Sequence, residues 1–355
     1  MSRGMDPLSR AGQRMMRKTP PLMALSVLIL SIAFCRSDRV VLPVLKGPYL
    51  GQKTPGMKPE VFAPGIVSRG LGTRDVAMTP DGKEIYFSVV LGNYAISTIL
   101  VTKEVDGVWT APEVMSCMQD PGHQNLEPCL SPDGRRFYFV SERPDPAANE
   151  AAGDPDIWVM DRVGGEWSEP RNLGGPVNSD GQEYFPSVTR DGTLYFSRQA
   201  KGSPSVGIYR SRFVDGKFQE PEKVPLPIGP GENCYNTFVA PDESYMIAPV
   251  EGRKDASGAA DYYVFFRDRG GAWSEPVNLG DAINRAEDST FSASVSPDGQ
   301  NLFFVSRRFL DKADWPAKLS HSFLEGLHNR PLNGISCIFW VSAEIIEERK
   351  KGEGT

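Results

Sequence analysis

Two acidic residues, Asp75 and Glu127, stand at the same place in two successive copies of an internal repeat, and the matching places in three further copies hold Phe185, Asn236 and Ser292. A pair of carboxyl groups facing each other across a cavity is what glycosidic hydrolysis needs, one as acid and one as base or nucleophile. Only two of the five matched positions are acidic, and they fall in adjacent repeats. Glu183, Glu232 and Asp288 stand just before the corresponding strands and would rim the same opening. Set against that chemistry is a plainer expectation, a solvated polar channel whose Asp75, Glu127, Glu183, Asn236 and Asp288 bind without catalysing.

Other reaction types find little support. The sequence holds no G-x-S-x-G elbow, no H-E-x-x-H and no phosphate-binding loop. His123, His321 and His328 are its three histidines, and no two share the helical spacing of metal ligands. Cys117, Cys129, Cys234 and Cys337 lack zinc spacing and read as packed free thiols. Glu150, Asp154 and Asp156 form one local acidic cluster, but no D-x-D-x-D-G loop accompanies it, so no metal and no cofactor is expected.

The elements that position these residues are written in the repeat. Ser131-Pro132-Asp133-Gly134 is a turn: Pro fixes φ, Asp bonds its own backbone and Gly takes a conformation a side chain resists. Phe137-Tyr138-Phe139-Val140 follows as a strand rich in aromatic and β-branched residues. The same text returns with turn aspartates at Asp81, Asp133, Asp191, Asp242 and Asp298, spaced by 52, 58, 51 and 56 residues. These aspartates invite a calcium reading, but one per repeat, each occupied with its own turn, is better explained by turn geometry. A second signal, an aromatic residue with Pro three positions on, recurs as Trp109–Pro112, Trp167–Pro170, Phe218–Pro221 and Trp273–Pro276, and suits an outer strand that tolerates a missing N–H. The tryptophans at this position are expected to pack. Four strands per repeat of about fifty residues describe propeller blades.

Closure follows from what the last repeat lacks. After Ile338-Phe339-Trp340-Val341 no aromatic-x-x-Pro strand appears, whereas residues 60–67 form an orphan strand ahead of the first repeat. The expected fold is therefore an all-β, five-bladed propeller over 59–350, closed by its N-terminal strand, with six blades as the alternative. One segment is longer than its counterparts. Residues 309–333, between the second and third strands of blade five, hold Trp315, His321, Phe323, Leu324, Leu327 and His328, and read either as a helical cap or as a contact surface for a ligand or partner, with Trp315 and His321 as candidate binding residues.

Ahead of the propeller, Arg14, Arg17 and Lys18 precede a short apolar run over 22–34, the pattern of an export signal. Ile32-Ala33-Phe34-Cys35 resembles a lipobox, making Cys35 a candidate lipidation site, although Phe34 departs from that pattern and ordinary cleavage near Ala33 stays open. Residues 35–58, rich in Pro and Gly, read as a tether. Residues 1–35 contribute +4 to a formal net charge of −6, leaving an acidic remainder that argues against a nucleic-acid partner.

The Ser-Pro-Asp-Gly turns, Asp156-Ile157-Trp158-Val159, the Trp-Ser-Glu-Pro-x-Asn-Leu-Gly segments at Trp167 and Trp273, and the ending Phe339-Trp340-Val341-Ser342 together resemble the PD40 (WD40-like) repeat family, to which the propeller half of the periplasmic protein TolB belongs. The resemblance covers about residues 60–350 and implies the propeller fold, not a particular activity. Its expected setting is the bacterial cell envelope, periplasmic or anchored at the outer membrane by lipid, or secreted if no lipid is added. The expected role is binding or scaffolding of an envelope protein or glycan, with a carbohydrate-active enzyme as the alternative.

Overall fold

In the computed structural model, residues 43–145, 153–286 and 291–352 are described; the apolar run 22–34, Cys35, Glu150 and Asp288 lie outside them. Five small antiparallel sheets form the blades of a β-propeller. Their innermost strands are Gly72–Met78, Asn125–Leu130, Gln182–Val188, the broken pair Asn233–Cys234 and Phe238–Val239, and Ala293–Val295.

Each turn between first and second strands is built as its residue types require. In blade two Asp133 Oδ1 accepts from the Ser131 hydroxyl at 2.6 Å and from the Arg135 N–H at 3.0 Å. Gly134 closes the turn at φ 70°, its N–H donating to the Ser131 carbonyl at 2.8 Å. Burial would push the Asp133 carboxyl up, but the Ser131 hydroxyl and Arg135 N–H outweigh it and hold the pKa below the ordinary value. Blades one, three and five repeat the arrangement; in blade four Ala240 brings no hydroxyl, Ser244 supplies both hydroxyl and N–H to Asp242, and Glu243 takes the positive φ in place of glycine.

The aromatic-x-x-Pro segments explain themselves in the outer strand. Val108–Trp109 pairs with the end of the third strand, the chain breaks at Pro112, and Glu113–Val114 pairs again further along the same strand. Blade two does the same on either side of Pro170. The tryptophans pack between blades as expected: Trp167 donates its indole N–H to Tyr86 of blade one at 2.8 Å and lies against Phe137.

Blade five is completed by the N-terminal strand. Glu60 and Val61 pair with Trp340 and Phe339, and the Phe62 N–H donates to the Ile338 carbonyl at 2.8 Å. Phe62 is fully buried, edge-on to both Phe303 and Trp340. The tether reading does not hold for the residues just upstream. Tyr49 and Leu50 are buried in the same aromatic cluster, Tyr49 bonds Asp298 Oδ2 at 2.8 Å, and Leu45 and Gly47 accept from the backbone and indole N–H groups of Trp109. Three large apolar side chains within seven residues, Leu45, Tyr49 and Leu50, give a Pro/Gly-rich segment enough surface to dock. Among the described residues no helix is long and apolar enough to cross a membrane.

Candidate functional site

The five matched inner-strand positions meet on the propeller axis and divide its channel. In four blades that position is a β-bulge held in the left-handed region: Asp75 at φ 55°, Glu127 at 58°, Phe185 at 52° and Asn236 at 48°. Such a conformation costs a non-glycine residue about 1–2 kcal/mol, so its return at one position in four blades marks a built feature. Asp75, Phe185 and Ser292 line a chamber of about 700 Å³ that extends to the turn residues Pro80, Ser131, Pro297 and Asp298. Arg74, Tyr184 and Asn236 line a smaller one, about 270 Å³, on the opposite face, and Glu127 lines both.

The septum between the chambers is organised by Arg74. Its Nε donates to Asp75 Oδ1 at 2.9 Å, its Nη2 to Glu127 Oε1 at 2.7 Å, and its Nη1 to the Tyr94 hydroxyl at 2.8 Å. The ring of Phe291 covers the guanidinium at 5.4 Å. Burial works against the charge on Arg74, but Asp75 and Glu127 outweigh it and raise its pKa above the ordinary value. Glu127 moves the other way. Burial is the largest influence and Asp75 adds repulsion, so despite Arg74 and the Phe185 N–H its carboxyl is pushed up to about 7.

Glu127 has a structural task that the repeat makes visible. A bulge frees a backbone N–H, and the neighbouring blade catches it. The Glu127 N–H donates to the Ser88 hydroxyl at 3.1 Å, and the Asn236 N–H to the Ser197 hydroxyl at 2.9 Å. Ser88 and Ser197 each stand two residues after the tyrosine of their second strand. In blade two that place is Val140, which cannot accept. There the Phe185 N–H donates instead to Glu127 Oε2, at 2.7 Å. Both oxygens of Glu127 are thus engaged within the wall, and Asp75 shares its Oδ1 with the same arginine.

The remaining predicted residues scatter. Glu183 is wholly buried and accepts from the Ser179 N–H and hydroxyl and from Arg198 Nε at 2.6 Å, so it anchors the loop entering blade three and lines neither chamber. Asn236 sits in the septum, its amide donating to the Phe291 carbonyl. Asp288 lies outside the described residues. Asp156 of the acidic cluster accepts from Asn172, which is bound in turn by Asn178, a loop lock repeated by Asp261, Asn278 and Asn284 in blade four.

Trp315 and His321 belong to the insertion, which is pinched at its neck by a bridge between Phe309 and Asn333. It carries a helix, His321–His328, capped by Ser320, but none of the helix is buried, and Leu324 is 49% exposed. Trp315 stands half-exposed, edge-on to Phe309, and His321 pairs with Glu325 one turn along the helix. Of the three apolar residues expected to pack a cap, Phe323 and Leu327 are half-buried and Leu324 is exposed, and the helix joins the propeller at its end, where the His328 carbonyl lies against Gly70 so closely that a Cβ there would sit 2.1 Å from it. Neither Trp315 nor His321 reaches the channel chambers.

Arg74, Tyr94 and Phe291 were not foreseen as site residues. A signal for Arg74 existed: an arginine inside a strand that must be buried needs acidic partners, and Asp75 follows it directly. Tyr94, on the loop after the second strand, and Phe291 carry no such mark. Cys117, Cys129 and Cys234 form no disulfide, and burial pushes the thiols of Cys129 and Cys234 up to about 12. Among the described residues no His, Cys, Asp and Glu side chains gather as a metal site.

No protein-family model and no curated protein matches the chain. Among solved structures it is similar to a glycoside hydrolase, at 11% identity and a TM-score of 0.50 over 83% of this chain and 93% of that one. It is also similar to TolB from Acinetobacter baumannii, at 20% identity and a TM-score of 0.43 over 66% of this chain, and to the periplasmic gluconolactonase PpgL of Pseudomonas aeruginosa, at 15% identity and 0.38 over 74%. The chain spans 49% of the length of TolB, 75% of PpgL and 38% of a prolyl endopeptidase. At these identities the likeness speaks to the propeller fold and not to an activity.

Proposed function

We propose that this chain is a PD40-type binding propeller of the bacterial cell envelope that works through its channel and faces without catalysing a reaction. One observation carries the reading: Arg74 ties Asp75 and Glu127 together inside the wall, and Glu127 spends its second oxygen on the Phe185 N–H. An acid/base pair must present a proton to one side of a scissile bond and an oxygen to the other. Two carboxylates held by one guanidinium, one of them filling in for a missing serine, are arranged as a strut.

The envelope setting rests on the basic and apolar pattern of 14–34, with Cys35 as the residue that would carry lipid. The partner is an envelope protein or a glycan, and the insertion 309–333, with Trp315 and Leu324 half-exposed, is the surface a protein would use. Pull-down from envelope fractions, comparing the parent, Glu127→Gln and a deletion of 311–331, tests this. The binding reading expects no glycoside turnover by any of them and loss of a partner with the deletion. Turnover that vanishes in Glu127→Gln would reverse it.

A further inference from the structure

The smaller chamber, of about 270 Å³, is lined by tyrosines from three blades: Tyr94 of blade one, Tyr184 of blade three and Tyr235 of blade four. All three are half-buried, as are Glu142 and Gln182 in the same lining, so none is sealed off from a ligand. Their placing is built. Tyr94 comes third in a run of left-handed residues, after Gly92 and Asn93, at φ 69°, a conformation unfavourable to an aromatic side chain. Its hydroxyl accepts from Arg74 Nη1 at 2.8 Å, and Arg74 Nη2 reaches Glu127 Oε1 at 2.7 Å. Burial, then Glu127 and Glu251, push the Tyr184 hydroxyl above its ordinary pKa, and the Tyr235 hydroxyl donates to Glu251 Oε1 at 3.2 Å. Tyrosine hydroxyls and carboxylates therefore share one neighbourhood.

Glu142 is the uncommitted charge of this lining. Among the described residues its carboxylate makes no hydrogen bond or ion pair, and the Gln182 amide and Tyr184 hydroxyl make no side-chain bond either. Burial and Asp154 push the Glu142 carboxyl above its ordinary value, against a smaller opposite pull from His123. Charge then selects the ligand. The guanidinium of Arg74 is already spent on Asp75 and Glu127, and an anion would face Glu127 and Glu142. A neutral ligand closing over Glu142 would strip water from a carboxylate and return no charge. A hard metal ion needs several converging oxygens, and no three His, Cys, Asp or Glu side chains gather among the described residues. An organic cation answers both features of the lining: its N–H groups donate to the carboxylate, and its charge is favoured by tyrosine rings. The volume is small for a ligand pocket and suits one alkyl chain with an ammonium end. We infer that the smaller chamber binds an alkylammonium group, its charge met by Glu142 and its chain set among Tyr94, Tyr184 and Tyr235. This rests on the reading of the channel as a binding site and names a ligand class for it. The group belongs either to a free amine or to a lysine side chain of a partner protein.

Glu142→Gln is the informative variant, because the carboxylate makes no internal bond that its loss would break. Tyr184→Leu removes a ring, and Tyr184→Phe keeps it. Calorimetry and saturation-transfer NMR on the full chain would use 1,5-diaminopentane and Nα-acetyl-lysine methylamide as probes, with 1,5-pentanediol and glutarate as neutral and anionic counterparts. The expected result is binding of at least one ammonium probe and of neither counterpart. Glu142→Gln should weaken that binding about tenfold at unchanged melting temperature, and Tyr184→Leu about three- to tenfold, more than Tyr184→Phe does. Tighter binding of the lysine derivative assigns the site to a partner's side chain, and tighter binding of the diamine to a free amine; either supports the inference. Failure of both ammonium probes, equal binding of the pentanediol, or undiminished affinity in Glu142→Gln overturns it. If the ammonium probes fail while the deletion of 311–331 still loses its partner, the binding role stands and this ligand class falls. Conversion of a bound amine into a new product would instead leave the ligand class standing and overturn the non-catalytic reading.

Discussion

Arg74 on the first blade and Glu127 on the second meet at 2.7 Å with both side chains almost wholly removed from solvent. Two blades are thereby joined at the axis by a charge pair whose partners have no water to fall back on. Removing one member strands the other, which costs about 3–5 kcal/mol for a buried pair. Arg74→Ala should therefore destabilise by that amount in chemical denaturation. A triple change, Arg74→Met with Asp75→Asn and Glu127→Gln, should recover most of it. An Arg74→Ala variant that unfolds at the parent's midpoint would show that the septum carries no such load.

Glu127 also sets a pH dependence of unusual sign. Its folded pKa, about 7, lies above the ordinary value of 4.5, so between these two values the folded state holds more proton than the unfolded one. Stability must then fall as pH rises from about 5 to 7 and level off above. The turn aspartates Asp81, Asp133, Asp191, Asp242 and Asp298 act in a different window. Their pKa values lie below the ordinary 3.8, so the stability they contribute is present above it and is lost as pH falls through their folded values. Denaturation midpoints from pH 3 to 9 should show both limbs, and Glu127→Gln should flatten only the one approaching neutrality.

The turns offer a graded test of backbone strain. Gly134 and Gly299 both have positive φ, at 70° and 73°, where a β-branched residue is costly. A Cβ on Gly299 would meet nothing within 4 Å, whereas one on Gly134 would sit 3.0 Å from Pro80 of the neighbouring blade. Gly299→Val should cost about 1–3 kcal/mol from conformation alone, and Gly134→Val more. Thermal melts in which Gly134→Val is the milder of the two would contradict the contact.

The blade count and the closing strand were legible because their signals are local and repeated. Asp-Gly turns recur at a near-constant interval, and the missing outer strand of blade five matched an orphan strand in front of blade one. The matched inner-strand positions were legible for the same reason: counting from the turns placed Asp75, Glu127, Phe185, Asn236 and Ser292 at one level of the axis, where the structure has them. What counting could not give was direction. That Glu127 turns into the wall depends on Val140 standing where other blades have Ser88 and Ser197, a relation across three blades. Glu183 was misread because an acidic residue beside a strand looks exposed until Arg198, fifteen positions later, is folded against it. The segment carrying Tyr49 was misread because Pro and Gly dominate its composition while its aromatic residue decides its fate.

Tyr49 leads to the last prediction. The N-terminal strand closes blade five through a short ladder, Glu60 and Val61, with the Phe62 N–H on the Ile338 carbonyl and the Ser342 N–H on the Gly56 carbonyl, so backbone pairing alone is a short lock. The rest of the lock is aromatic. Phe62 sits edge-on to Phe303 and Trp340, with centroids 5.0 and 5.1 Å away, and Tyr49 covers Trp340 at 5.3 Å. Deleting 1–58 removes Tyr49, Leu50 and the Gln52 side chain that bridges Val61 and Ala63, yet leaves the strand itself. Deleting 1–68 removes Phe62 as well, exposes the outer edge of Cys337–Ser342 and opens the ring. The shorter deletion should therefore destabilise, where a free tether would leave stability untouched, and the longer one should aggregate or unfold without a single cooperative transition, as an open repeat array does. Phe62→Ala should cost about 3–5 kcal/mol, the usual loss for a buried aromatic residue. Tyr49→Phe, which keeps the ring and drops only the bond to Asp298, should cost about 1 kcal/mol. Calorimetric unfolding of the four variants decides the matter: a 1–58 deletion that melts with the parent returns 43–58 to the status of a tether, and a 1–68 deletion that still unfolds in one sharp transition means the ring is held shut elsewhere.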